Sequence, residues 1–245
     1  MTGKRYAVVS CHVEAILDDR TWEAFSAFQE SAPGGFRIAP LVRPPDEAAG
    51  EAADVWLERA RAAGSRGPLG HHTHFVGPGH ARPPHPGPEH GERVRREAGW
   101  LREQGLRPRF FCGGGWYMDA GVASILAELG YVDCTATAFR PSYLDDAAPR
   151  LSLDRPARLV LGRRRLLAIP TTHSLGQAAR ATLDPEPMPA VVHVYFHDTD
   201  LLSRRRRLAL RATLVALARR RDVSDLDEVA AEAEASAPEL PFPAT

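Results

Sequence analysis

The sequence predicts an α/β fold, one barrel-like domain over residues 1–235 followed by a Pro-containing tail over 236–245. Three observations predict it. Short apolar runs alternate with amphipathic stretches, the pattern of a largely parallel sheet covered by helices. No repeat at a fixed period and no linker divides the chain. Polar, ligand-type side chains gather on one face of several strands near their C-terminal ends, where parallel barrels build their sites.

Each element follows from local pattern. Tyr6 to Glu14 reads as a strand and Thr21 to Gln29 as a short helix. Phe36 to Val42 is a second strand, followed by a helix from Asp46 to Ala63, and Pro68 to Phe75 is a third strand. A Gly-, Pro- and His-rich loop over Gly77 to Gly91 has the length of a lid or binding loop, with a helix from Glu92 to Gln104 after it. Arg109 to Cys112 is a strand that ends in three glycines. Asp119 starts a helix that stops at Gly130, the preferred residue types for those two caps. Tyr131 to Ala136 is a strand, and Ala157 to Leu161 with Arg165 to Ile169 flank a Gly-Arg-Arg turn as a hairpin. Val191 to His197 is a strongly apolar strand. An Arg-studded helix from Ser203 to Arg220 turns Leu208, Leu214 and Leu217 inward, and a last helix spans Asp225 to Ala233.

Composition narrows the function. The 31 basic side chains balance 31 acidic ones, so no global field recruits nucleic acid or an anionic membrane. Lys4 is the single lysine among them, and the Arg204 to Arg207 run reads as a solvated helix face. No apolar run approaches the roughly 20 residues of a membrane span. Cys11, Cys112 and Cys134 form no CxxC pair and no disulfide framework, and the N-terminus has no signal-peptide pattern. A cytoplasmic enzyme is expected; the oligomeric state is not fixed by the sequence.

Alternate residues of a strand share a face. Ala7, Val9, Cys11 and Val13 suit packing against helices, while Ser10, His12 and Glu14 point the other way. The third strand puts His72 and His74 on one face, with His71, Thr73 and Phe75 opposite. His193, Tyr195 and His197 share a face of the Val191–His197 strand. Burying a carboxylate and several imidazoles without partners costs several kcal/mol, at least about 2. A divalent metal accounts for their convergence, since neutral imidazole and carboxylate are common ligands of zinc and related ions. Individually hydrogen-bonded core histidines are the competing reading, and for Glu14 a salt bridge to one of the arginines.

Four segments in order resemble the polysaccharide deacetylases, the family 4 carbohydrate esterases. Val9 to Glu14 resembles the family's first motif, which ends the first strand in two acidic residues. Gly70-His71-His72-Thr73-His74 resembles the second, Phe111 to Trp116 stands in place of the third, and Tyr195-Phe196-His197-Asp198 resembles the last. The resemblance implies an incomplete (β/α) barrel and a metal-dependent hydrolase, with zinc as the expected ion, that removes an N-acyl group, acetyl foremost, from an amino sugar. It implies His12 as general base, His197 as general acid with Asp198 beside it, and Glu14, His72 and His74 as metal ligands. His12 replaces the usual aspartate, Val76 stands where a second metal histidine is expected, and Cys112 replaces an arginine. The third ligand is therefore His74, His80 or His85. A small-molecule or carrier-linked sugar is the expected substrate, with Cys112, Gly114, Trp116, His173 and Tyr195 as its contacts. A silent barrel that binds a sugar or acylated ligand, and an amidohydrolase for another amide, remain the alternatives.

Overall fold

The structure is a computed structural model that describes residues 4–79, 81–83, 85–144, 149–184 and 188–243. β1 (Tyr6–Val13) is buried along its whole length. α1 (Asp19–Glu30) begins at Asp18, whose carboxylate accepts the Thr21 N–H. After β2 (Ala39–Val42) the helix expected from Asp46 is delayed. A short 3-10 turn ends at Ala49, Gly50 takes a left-handed conformation (φ 73°), and α2 spans Ala53–Arg66. β3 (Gly70–Thr73) leads through the long loop to α3 (Pro88–Glu103). That helix starts before the expected Glu92 because Pro88 sits in its first turn, where a missing N–H costs nothing.

β4 (Phe110–Gly113) precedes α4 (Ala120–Leu129), which is bracketed as expected by the Asp119 cap and a left-handed Gly130. β5 keeps only Val132–Asp133, and the hairpin β6 (Ala157–Leu161) and β7 (Arg164–Ala168) is antiparallel. β8 (His173–Ser174) and α5 (Leu175–Leu183) were not anticipated. Their signal is a reciprocal cap, in which Ser174 Oγ accepts from Gln177 N and the Gln177 side chain accepts from Ser174 N. β9 spans Val191–His197 as expected. In α6 (Arg204–Ala218) the buried stripe is Leu210, Leu214 and Leu217. Leu208 is instead 56% exposed, since it lies half a helical turn away from Leu210. β10 (Asp222–Val223), α7 (Leu226–Ser236) and β11 (Glu239–Pro241) follow, so part of the expected tail is a strand.

The strands form one sheet in the order β11-β6-β7-β5-β4-β3-β2-β1-β9-β8, with β10 beside the start of β1. Apart from the β6/β7 hairpin every described pairing is parallel. The chain leaving β7 keeps bonding on both sides: Ile169 N donates to Asp133 O (2.8 Å), Thr171 N to Ala136 O (2.7 Å), and Thr172 N to His193 O (3.0 Å). Among the described residues no helix is long and apolar enough to cross a membrane.

Strand alternation sorts the core as the sequence pattern requires. Ala7, Val9, Cys11 and Val13 pack with Phe25, Phe28 and Trp56 of α1 and α2. Tyr6 and Val8 pack on the opposite face with Leu41, Phe110, Cys112 and Cys134, and with Leu226, Val229 and Ala230 of α7. Beyond Val8 that inner face turns polar at Ser10 and His12, both buried.

β3 is fixed from its outer face by a buried network. His71 Nε2 lies 2.8 Å from Glu97 Oε2, Thr73 Oγ1 donates to the same oxygen (2.7 Å), and Arg93 Nε donates to Glu97 Oε1 (2.8 Å). Burial alone would raise the Glu97 carboxyl, but the bonds from His71, Thr73 and Arg93 hold it below its ordinary range. A depressed carboxylate stabilises the fold above its unfolded value of about 4.3 and loses that contribution as pH falls through the folded value. Glu97→Ala should therefore cost about 2–4 kcal/mol at neutral pH by urea unfolding, with the gap to the parent protein narrowing in acid. A cost that is flat with pH would show that the carboxylate charge contributes nothing.

Candidate active site

The C-terminal ends of β1, β4 and β9 surround a cavity of about 510 Å³. Its lining includes His12 and Glu14 from β1 and the turn after it, Trp116 beyond β4, and Tyr195 and His197 from β9. His72 and His74, 2% and 3% exposed, lie behind this lining against Glu14.

Glu14 Oε1 lies 3.1 Å from His72 Nε2 and 3.3 Å from His74 Nε2, and those two nitrogens are 3.2 Å apart. The other nitrogen of each ring meets a backbone carbonyl: His72 Nδ1 is 2.9 Å from Cys112 O, and His74 Nδ1 is 3.0 Å from Pro78 O. A carbonyl oxygen only accepts, so each Nδ1 carries a proton and each Nε2 faces Glu14. Burial, the largest influence on His72, disfavours its charged form. Burial would also raise Glu14, but its bonds to His72 and His74 hold it far below the usual carboxylate range. One carboxylate oxygen and two imidazole nitrogens thus converge, each an atom able to serve as a metal ligand.

That arrangement fits a shared cation. Ligands at about 2.0–2.1 Å from a tetrahedral zinc lie about 3.3–3.4 Å from one another. The separations of 3.1, 3.2 and 3.3 Å match that spacing, and the carbonyl bonds to both Nδ1 atoms are the usual outer support of metal-bound imidazoles.

His12 stacks on the His72 ring with centroids 4.5 Å apart and meets Tyr195 at 5.2 Å. It is buried, and among the described residues its Nε2 has no hydrogen-bond partner. Burial, then the neighbouring His72 and His197, push His12 well below the ordinary histidine value, so it is neutral. His197 stands at the rim, its side chain 38% exposed and its Nε2 3.6 Å from Glu14 Oε1. Trp116 is held in the left-handed region (φ 59°), unusual for so large a side chain, and its ring meets Tyr195 edge-on at 4.7 Å.

Other expected contacts fall elsewhere. Asp198 turns away from the cavity: one oxygen accepts from Glu14 N (3.0 Å) and Ala15 N (2.8 Å), the other from Thr199 N (2.8 Å). It tethers the turn that carries Glu14, and burial raises its pKa to about 6. Cys112 contributes its carbonyl, while its buried thiol packs with Phe110 and Cys134. Gly114 is required by the chain itself and not by a ligand, because a Cβ there would lie 2.7 Å from Thr73 O and from the Ala81 Cβ. His173 pairs with Thr172 Oγ1 (2.7 Å) outside the lining, and His193 bonds Ser10 Oγ (2.8 Å) deeper in the core. His85 is exposed and offers only its carbonyl, to His90 Nε2 (2.8 Å); His80 lies outside the described residues.

Arg82 and Tyr143 line the cavity although neither was singled out. Arg82 donates to Gly115 O (2.7 Å) and Pro149 O (2.8 Å), which seats the long loop against the turn after β4. The length and position of that loop were its only signal in the sequence.

Comparison with protein-family descriptions finds no match, nor does comparison with curated proteins. Among solved structures, the chain is similar to the 4-α-glucanotransferase from Thermococcus litoralis (TM-score 0.59, 12% identity, covering 97% of this chain and 40% of that one). It is also similar to a family 4 carbohydrate esterase from Streptomyces lividans in complex with acetate (TM-score 0.51, 12% identity, covering 88% of this chain and 89% of that one). The chain thus spans about two fifths of the glucanotransferase, 40% of its length. At 12% identity these likenesses establish the fold alone.

This trio makes a direct prediction. His72→Ala and His74→Ala should each lose the tightly held divalent ion while keeping the far-UV dichroism of the parent, and His85→Ala should keep the ion. Full metal content in either of the first two, by elemental analysis after dialysis, would remove that histidine from the site.

Proposed function

We propose that this chain is a divalent-metal-dependent hydrolase, zinc being the expected ion, that removes an N-acyl group, acetyl foremost, from an amino sugar or sugar-containing small molecule. The observation that carries this reading is the trio of ligand-type atoms, Glu14 Oε1, His72 Nε2 and His74 Nε2, at 3.1–3.3 Å from one another. The likeness to an acetate-bound carbohydrate esterase supports it at the level of fold. We read the sheet as an incomplete barrel whose ends the 169–172 segment ties together through its bonds to β5 and β9.

Glu14, His72 and His74 would hold the ion, which supplies a polarised carbonyl and a water acidic near neutral pH, pKa about 7. The remaining work belongs to the chain. Neutral His12, on the cavity lining and with a ring nitrogen unpartnered among the described residues, accepts the proton of the attacking water. His197 at the open rim donates a proton to the departing amine, a step an amide needs because its leaving group is otherwise too basic. Asp198 keeps the Glu14 turn in place through the two N–H bonds it accepts from Glu14 and Ala15. Trp116 and Tyr195 give the sugar apolar faces to lie on and keep bulk water from that side.

Sugar transfer of the kind named for the glucanotransferase is disfavoured by the same lining. Glycosidic chemistry generally uses two carboxyl groups about 5–10 Å apart. Among the described residues that line the cavity Glu14 is the one carboxylate.

The test is acetate release from N-acetylated amino sugars by metal-loaded protein. His197→Ala should keep the tight ion and substrate binding but lose kcat on the amide by about 10²–10⁴-fold. Its loss on an activated acyl ester, whose leaving group needs no proton, should be much smaller. Equal losses on both substrates would assign His197 a structural role, and no acetate release from any amino sugar by the loaded parent would overturn the reading.

A further inference from the structure

The Glu14 carboxylate belongs to two constellations. One is the trio with His72 and His74. The other joins it to His12 and His197, with one ligand atom from each residue within 4.8 Å of the others. His12 is 4% exposed and its Nε2 has no hydrogen-bond partner among the described residues, an arrangement that costs free energy unless something polar fills it. His197 Nε2 faces Glu14 Oε1 at 3.6 Å, and the ring meets His12 edge-on at 5.2 Å. Two imidazoles and a carboxylate around an open cavity are a divalent-cation donor set in their own right.

A third grouping, His12 with His72 and Cys112, does not compete. Both nitrogens of His72 are committed, Nδ1 to Cys112 O and Nε2 to the Glu14 side. The Cys112 thiol is fully buried, and burial keeps it protonated.

We propose that His12, Glu14 and His197 form a second, weaker divalent-cation site that shares the Glu14 carboxylate with the tight one. A carboxylate has two oxygens and about four lone-pair positions, enough for two ions. Two divalent ions about 4 Å apart repel even in water, so the second should bind at least about 100-fold more weakly than the first. The proposal rests on the functional reading above for its consequence: an ion here occupies the nitrogens of the base and of the acid, so loading it switches hydrolysis off. Excess metal is then an inhibitor acting through named residues.

The experiment is equilibrium dialysis of the full chain against increasing zinc, with bound metal counted by elemental analysis and no substrate present. The parent should bind two ions per chain in separable steps. His197→Ala, an exposed rim position, should bind one, with the tight step unchanged. His12→Ala should do the same, and Co(II) absorption should show the second set of bands missing in both variants. With substrate, parent activity should fall along the second binding curve. A second ion retained at unchanged affinity in His197→Ala and His12→Ala would overturn the proposal, as would a parent that saturates at one ion. Because stoichiometry is read without substrate, absence of deacylation would overturn the hydrolase reading and leave this outcome standing on its own count.

Discussion

Two backbone carbonyl oxygens decide the chemistry of this chain. Cys112 O and Pro78 O each take the Nδ1 proton of a histidine, and in doing so turn the opposite nitrogen of each ring toward Glu14. Without those two bonds either ring has two tautomers and two flips open to it, and the pair becomes an ordinary patch of buried imidazole. Strand pairing supplies the first carbonyl: His72 and Cys112 are register partners in β3 and β4. The loop supplies the second, which ties that long segment to the orientation of the His74 ring.

The site therefore depends on β3 being held still from both sides. Its inner face carries His72, and its outer face is anchored by the Glu97 network through His71 and Thr73. β1 is held in the same manner at its end, where Asp198 grips the backbone of Glu14 and Ala15. Neither Glu97 nor Asp198 faces the cavity, yet each fixes an element that does. Such groups position ligands without touching them.

Much of this was legible in the sequence because strand periodicity is a strong signal. It placed His12, Glu14, His72, His74 and His197 on converging faces, and those five do meet. It assigned His71 to the opposite face, where the structure has it paired with Glu97. What failed was anything set by backbone contacts across the fold. The resemblance put Asp198 beside the acid His197, and its carboxylate serves main-chain N–H groups, among them that of Glu14, 184 residues away in sequence. Gly114 was expected to meet a ligand and is met instead by the chain's own loop, while its neighbours Gly113 and Gly115 do line the cavity. The α5 cap at Ser174 and Gln177 was missed because a nine-residue helix offers too few turns for periodicity to register.

The seat of the loop on the glycine turn bears on how such a cavity can diversify. A Cβ at Gly114 would collide with Thr73 O and Ala81, and one at Gly115 would lie 2.4 Å from the Arg82 Cβ. Gly115 also accepts the Arg82 guanidinium through its carbonyl. The wall built by residues 81–82 and the turn built by residues 113–115 are thus one interlocked joint. Grafting a foreign loop to reshape substrate choice would have to import its matching turn as well, so specificity here travels as a two-part cassette drawn from distant stretches of the chain.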